Sequence, residues 1–137
     1  MADGNSFRKF LADLKKDGLL REVPDSLSPR LEVTDRAWGK GPIFFSHVDG
    51  HKCALHILST RALLARALRV PVGDMVPHLA EVSYEGQVRE VESSCFMECV
   101  SKPDLSRLPI LTHFQGDGGP YITSAVVVSL LGEKINA

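Results

Sequence analysis

The stretch with the clearest potential for chemistry is glycine-rich and covers residues 112–123, Thr-His-Phe-Gln-Gly-Asp-Gly-Gly-Pro-Tyr-Ile-Thr. Three glycines and a proline surround Asp117 directly before an apolar, β-branched segment. Because glycine has no Cβ, it can adopt positive φ and let the backbone approach a ligand closely. The pattern therefore fits a ligand-binding loop; a tight turn without a ligand is the alternative.

A second group, His51, Cys53 and His56, has the residue types of a zinc site. In a strand, His51 and Cys53 would share one face and His56 would point to the other. Structural zinc takes four converging ligands, and no second pair in the sequence is suitably spaced. We therefore expect ordinary strand residues here, with zinc as the alternative.

The composition of the whole chain, with three cysteines and nearly equal numbers of basic and acidic residues, limits its location and its partners. Cys95 and Cys99 fall in an apolar segment, where we expect buried free thiols. The odd number of cysteines, without a recognisable signal peptide at the start, favours reduced thiols and a cytoplasmic protein. The formal net charge of −1 offers no surface for nucleic acid. The longest apolar run, residues 122–131, is too short to span a membrane.

An amphipathic helix is predicted to begin after Ser6 and to end before Gly18. Its apolar positions follow a period of 3.6 residues: Phe7, Phe10, Leu11 and Leu14. A short strand is predicted at residues 19–23, ended by Pro24. The basic side chains of the helix are interpreted as solvated: Arg8, Lys9, Lys15 and Lys16.

A second helix and a hairpin follow. Ser28 and Pro29 favour a helix start, which predicts a helix over residues 30–38. Trp38 at its end is interpreted as a core residue or a contact with another domain. A buried strand is predicted at residues 43–48, and the dipeptide at 49–50, Asp-Gly, predicts a hairpin that returns through residues 53–58.

A third helix is predicted at residues 60–69, ended by Pro71, with four side chains inward: Leu63, Leu64, Ala67 and Leu68. Further strands are predicted at 82–84, 88–91 and 95–100. Helices and hairpins without a regular βαβ alternation favour an α+β domain over residues 1–102. Residues 103–120 have the composition of a linker or structured loop.

A last strand is predicted at residues 121–129, rich in β-branched side chains. Val126, Val127 and Val128 place apolar side chains on both faces, a pattern typical of a strand that is covered on both sides. The N-terminal domain could cover one side at most. We therefore expect residues from about 111 to 137 to require a partner in order to become ordered.

Several of these stretches resemble the UbiD-like decarboxylases, a family that uses prenylated flavin mononucleotide. Residues 108–113 and 116–123 closely resemble the signature that leads into the family's central domain. Residues 7–11 with 18–21 resemble its first helix and strand, and residues 41–50 resemble its first hairpin. The resemblance covers essentially the whole chain.

The resemblance implies an α+β N-terminal domain followed by the first strands of a split β-barrel that binds flavin, here residues 121–137. Asn136 matches the asparagine that helps to hold the divalent metal bridging the cofactor phosphate, and an amide oxygen suits Mn²⁺ or Mg²⁺. Thr123 and Ser124 would lie near the flavin. The implied cofactors are prenylated FMN, Mn²⁺ or Mg²⁺, and K⁺, all of which are expected to need protein beyond residue 137.

The implied activity is reversible, non-oxidative decarboxylation of an aromatic acid, another α,β-unsaturated acid or a phosphorylated isoprenoid precursor. The family's catalytic arginine and glutamates should follow Asn136, so no catalytic residue is assigned and the isolated chain is expected to be inactive. The expected partners are the remaining UbiD-like polypeptide or a second chain, a small carboxylic acid, and further copies in a homo-oligomer. A split enzyme, a truncated product and a non-catalytic binding or regulatory module remain open.

Overall fold

The computed structural model describes residues 6–82, 91–98, 100–125, 129–131 and 134–136. Within these residues lie a three-stranded sheet with helices packed on it and a separate two-stranded hairpin. The α+β content predicted from the sequence is confirmed. The elements are, in chain order, α1 (Phe7–Lys16), β1 (Arg21–Leu27), α2 (Glu32–Ala37), β2 (Ile43–Val48), β3 (His51–Leu55), α3 (Arg61–Leu68), α4 (Met75–Ala80), β4 (Ser129–Leu131) and β5 (Lys134–Asn136).

The sheet has the order β1-β2-β3, with β1 parallel to β2 and β2 antiparallel to β3. Asp49 and Gly50 both have positive φ, 48° and 77°, which is the conformation of a type I′ hairpin turn. The predicted hairpin is therefore confirmed. Its return strand ends at Leu55 rather than at residue 58, because His56 takes φ 58° and its Nδ1–H donates to the carbonyl oxygen of Lys40 at 3.0 Å.

The first strand differs from its predicted bounds. It begins at Arg21 and continues past Pro24 to Leu27, with an irregularity in the register between Val23 and Ser26. Proline lacks an N–H for a ladder hydrogen bond, but an edge strand tolerates it. The prediction that Pro24 ends the strand was wrong because β1 lies at the edge of the sheet.

The second helix is shorter than predicted. It begins at Glu32, because Leu31 before it has φ 68°, outside the helical region. Ser28 Oγ accepts from the N–H of Arg30, and the N–H of Ser28 donates to the Glu32 carboxylate at 2.7 Å. The Ser-Pro pair therefore builds a turn ahead of α2 rather than its first turn.

The cap predicted for α1 is confirmed, and α3, for which only a start near Thr60 was predicted, is capped as well. Ser6 Oγ accepts from the N–H of Lys9, and Thr60 Oγ1 accepts from the N–H of Leu63, both at 3.2 Å. The sequence prediction missed α4, which follows a 3-10 turn at Val72–Asp74. Pro77 lies in the first turn of α4, where a backbone N–H has no partner within the helix, so the proline does not break it.

Two apolar clusters hold the sheet between helices. Cys53 and Leu55 of β3 pack on the first cluster and Ala54 packs on the second, so the clusters lie on opposite faces of that strand. The second cluster joins α1 and α3 through Leu14, Ile57 and Leu63. The first lies between α2 and the sheet and contains Val23, Val33, Ala37, Ile43, Phe45, Val48 and Leu111.

The strands predicted from residue 82 onward agree less well with the structure than the earlier elements do. The predicted strand at residues 95–100 was wrong where it can be compared, because Cys95–Glu98 form a 3-10 helix. Residues 121–125 are not in a strand, and the described strand that overlaps the end of the prediction is β4, Ser129–Leu131. The predicted strands at 82–84 and 88–91 lie largely outside the described residues, as do Cys99 and the three valines at 126–128.

The final hairpin pairs β4 with β5 in antiparallel fashion and places Asn136 opposite Ser129. Both strands fall within residues 121–137, the range predicted as the start of the split barrel. Among the described residues, no helix has both the length and the apolar character needed to cross a bilayer.

Candidate functional site

The glycine-rich segment is attached through Leu111 and Thr112 to the N-terminal sheet and to the turn that precedes α2. Leu111 is 9% exposed and belongs to the first apolar cluster. The N–H of Thr112 donates to the carbonyl of Pro29 at 3.1 Å, and the N–H of Leu31 donates to the carbonyl of Thr112 at 2.9 Å. A stretch predicted as linker or loop therefore pairs with the turn that precedes α2 and completes its core.

Asp117 shapes the turn that follows. One carboxylate oxygen, Oδ2, accepts from the N–H of His113 at 3.0 Å and from the N–H of Phe114 at 2.9 Å. The N–H of Asp117 donates back to the carbonyl of Phe114 at 3.1 Å. The N–H of Tyr121 donates to the carbonyl of Leu111 at 3.0 Å and closes the base of the loop. Hydrogen bonds to an ionised carboxylate are stronger than neutral ones, so this turn is well defined.

None of the three glycines of the loop has a positive φ. Positive φ was one of the two reasons given for glycine in this segment from the sequence, and it does not apply here. A Cβ built on Gly116 or Gly119 would meet nothing within 4 Å, and one on Gly118 would lie 3.5 Å from the Tyr121 hydroxyl. The side chain of Asp117 sets the turn instead, so the left-handed region is not needed.

Two side chains of this turn contact α2. His113 Nδ1 and Thr34 Oγ1 are hydrogen-bonded at 2.9 Å. The rings of Phe114 and Trp38 meet edge to face, with centroids 5.9 Å apart. Trp38 is 66% exposed, so its interpretation as a core residue was wrong; it contacts the loop. The motif pointed to this loop, but Thr34 carried no sequence signal, because an isolated threonine on a helix face is usually solvated.

A cleft of about 1160 Å³ opens between this loop, α1 and β3. Thr123 and Ser124, the residues predicted near the flavin, both line it. Its rim carries exposed apolar side chains: Phe7, Trp38, Leu58, Phe114, Tyr121 and Ile122. A largely apolar wall with a few hydroxyl groups is typical of sites for planar cofactors and small molecules.

The other residues singled out from the sequence are Asn136, Cys53 and the two histidines near Cys53. Asn136 lies in β5, and its side chain is not among those that the structure describes. Cys53 also lines the cleft as a free, half-buried thiol, and burial raises its pKa. Among the described residues, no three side chains of His, Cys, Asp or Glu converge as a metal site, and this includes His51, Cys53 and His56.

The residues that form the sheet and the loop match two known family models. The sequence model of the 3-octaprenyl-4-hydroxybenzoate carboxy-lyase N-terminal domain, UbiD_N, matches residues 11–83. The model of the Rift-related domain of the same enzymes matches residues 73–136. The chain therefore belongs to the UbiD family, as its resemblance predicted.

The curated relatives carry one name. The chain is 42% identical over 134 residues to the anhydromevalonate phosphate decarboxylase of Methanosarcina mazei, covering 96% of this chain and 32% of that protein. It is 32% identical over 93 residues to the enzyme of that name from Archaeoglobus fulgidus, covering 66% of this chain and 22% of that protein. The chain thus spans at most about a third of the length of these relatives.

Solved structures of one enzyme share the fold. The UbiD-class enzyme HmfF from Pelotomaculum thermopropionicum superposes with a TM-score of 0.77 at 32% identity, both as an evolved dimeric form in complex with prFMN and in complex with FMN. The first match covers 91% of this chain and 32% of that chain, and the second covers 88% and 30%.

Proposed function

We propose that this chain forms the N-terminal part of a UbiD-like carboxy-lyase that decarboxylates a small unsaturated acid. The observation that carries the proposal is the 42% identity to a named decarboxylase over 134 residues, which include both the sheet domain and the glycine-rich loop. The match to the Rift-related domain over residues 73–136 supports this function over a non-catalytic module, because a module that kept only the N-terminal fold would not carry it.

For the substrate we propose a phosphorylated isoprenoid precursor, anhydromevalonate phosphate. Both named relatives act on that compound according to their names, and they come from two different organisms. The sequence alone left aromatic acids and other unsaturated acids equally open. The identity of the relatives supports the isoprenoid compound among these classes.

For the cofactor we propose prenylated FMN, which would supply an electron sink while carbon dioxide leaves. The cleft suits one edge of a flavin, because Thr123 and Ser124 add hydroxyl groups to a largely apolar wall. Asn136 has the right donor chemistry for a hard divalent cation such as Mn²⁺, and K⁺ stays a prediction from the resemblance. The solved relative with bound prFMN supports the same cofactor.

The organisation around this site is also proposed. Residues 1–102 would form the N-terminal domain, 103–120 the connecting loop, and 121–137 the start of the split barrel. The rest of the polypeptide, or a second chain, would supply the acid–base and carboxylate-binding groups. A homo-oligomer is proposed for the complete enzyme, and a cytoplasmic location stays a prediction from the sequence.

Native mass spectrometry of the active assembly that contains this chain tests the cofactor. We expect one prenylated FMN for each copy of the chain, released on denaturation with the mass of the prenylated rather than the plain flavin. An assembly that decarboxylates its substrate with no flavin bound would contradict the proposal.

A further inference from the structure

Asp117 holds the two residues of the loop that contact α2. Its Oδ2 accepts from the N–H groups of His113 and Phe114, while their side chains meet Thr34 and Trp38. Thr34 lies in α2, and Trp38 is the residue that caps the C-terminus of that helix. One carboxylate oxygen thus fixes the backbone at the point where the loop rests on the first domain.

The same turn leads directly into the wall of the cleft. Leu111 anchors its start in the core, and the hydrogen bond from Tyr121 closes its base. Thr123 and Ser124 follow closely after Tyr121 and line the cleft. A loop closed only at its base has many conformations, and ordering each residue costs roughly 1–2 kcal/mol of conformational free energy, so a hydrogen bond within the loop restricts its path.

Asp117 does not itself line the cleft. We propose that Asp117 is a positioning residue, which holds the turn of residues 113–117 against α2 and so sets where Thr123 and Ser124 stand in the cleft. The ligand that these hydroxyl groups would meet, the flavin, rests on the proposed function. That Asp117 holds the turn is argued only from the hydrogen bonds that its carboxylate accepts from His113 and Phe114.

Amide hydrogen exchange of this chain, measured by NMR, tests whether Asp117 holds the turn of residues 113–117. We expect Asp117→Ala to speed exchange at the amides of His113, Phe114 and Tyr121 by about tenfold, because a hydrogen bond to a charged group contributes more than a neutral one. Asp117→Asn keeps an oxygen acceptor and should restore much of the protection. Unchanged exchange in Asp117→Ala would overturn the proposal.

Asp104→Ala is the matched control. Asp104 makes a similar cap, since its Oδ1 accepts from the N–H of Ser106 at 3.0 Å, but it does not line the cleft. Its loss should speed exchange near Ser106 and leave His113 and Phe114 unchanged. Equal effects of Asp104→Ala and Asp117→Ala on those two amides would mean a general loosening of the segment and would also overturn the proposal.

Flavin content of the active assembly tests the consequence for the cleft. We expect Asp117→Ala to lower the bound flavin several-fold, while Asp104→Ala keeps it and both variants have similar melting temperatures. Full flavin content in Asp117→Ala, with a loosened turn, would contradict the link to the cleft. A wild-type assembly without flavin would contradict the proposed function instead, and the exchange data would still decide the role of Asp117.

Discussion

Thr34 Oγ1 lies 2.9 Å from His113 Nδ1, in a half-buried hydrogen bond that joins residues 79 positions apart. The bond ties the glycine-rich loop to α2, and the neighbouring contact between Trp38 and Phe114 reinforces it. The loop that the sequence identifies as a family signature is thus docked on the first domain. The position of the cleft wall depends on this docking.

A double-mutant cycle should detect the coupling between Thr34 and His113. We expect Thr34→Val and His113→Ala each to lower the free energy of unfolding, with a coupling energy of about 1 kcal/mol, because a hydrogen bond of this kind has a net contribution of about that size. Denaturant unfolding of the two single variants and the double variant measures it.

Thr60→Val provides the control for this cycle. It removes the N-cap of α3 and should itself cost about 1 kcal/mol. Because Thr60 makes no hydrogen bond with His113, its effect should add to that of His113→Ala. Additive effects of Thr34→Val and His113→Ala would show that the two side chains do not interact.

Phe45 should dominate the stability of the first apolar cluster. It is fully buried in the central strand, so Phe45→Ala should cost about 3–5 kcal/mol through lost burial and a cavity. Phe114→Ala removes the same side chain from a site that is 54% exposed and should cost about 1 kcal/mol, mainly from its contact with Trp38. Unfolding by denaturant compares the two, and similar losses would contradict the assigned core.

The Cys53 thiol should react slowly at neutral pH. Burial raises its pKa by disfavouring the thiolate, which is the reactive form. A group whose pKa is raised on folding stabilises the fold below its unfolded pKa, and this contribution is lost as the pH rises through the folded pKa. Alkylation of Cys53, followed by peptide mass spectrometry, should therefore accelerate at a higher pH in the folded chain than in denaturant. Equal pH profiles in the two states would refute this.

Replacing Asn136 should lower metal and cofactor content together. In the active assembly, Asn136→Ala removes a hard oxygen ligand, so manganese and flavin content should both fall, by roughly tenfold or more in metal affinity. Asn136→Asp keeps an oxygen donor and should retain more metal. Unchanged manganese by elemental analysis in Asn136→Ala would show that another residue holds the cation.

Local signals were predicted well from the sequence. Ser6 caps α1 as predicted, α3 begins close to its predicted start at Thr60, and Asp49–Gly50 makes the hairpin, because each signal acts through hydrogen bonds or dihedral angles within a few residues. The glycine-rich motif was also correctly identified as a feature of the family.

Features that depend on distant neighbours were not predicted. Pro24 was taken as the end of a strand because the sequence does not show that β1 is an edge strand. Helix α4 was missed because Pro77 is compatible with a helix only in the first turn, and the sequence does not show that the helix starts at Met75. The roles of Thr34 and Asp117 were missed because their partners are set by how the loop folds back onto α2.

Carbon dioxide release from anhydromevalonate phosphate by the active assembly that contains this chain is the most direct test of the proposed function. With prenylated FMN bound, the assembly should release one equivalent of carbon dioxide for each substrate consumed, and removal of this chain should abolish the reaction. Release from an aromatic acid alone would contradict the proposed substrate. No decarboxylation of either acid by the flavin-loaded assembly would contradict the assignment of this chain to a working decarboxylase.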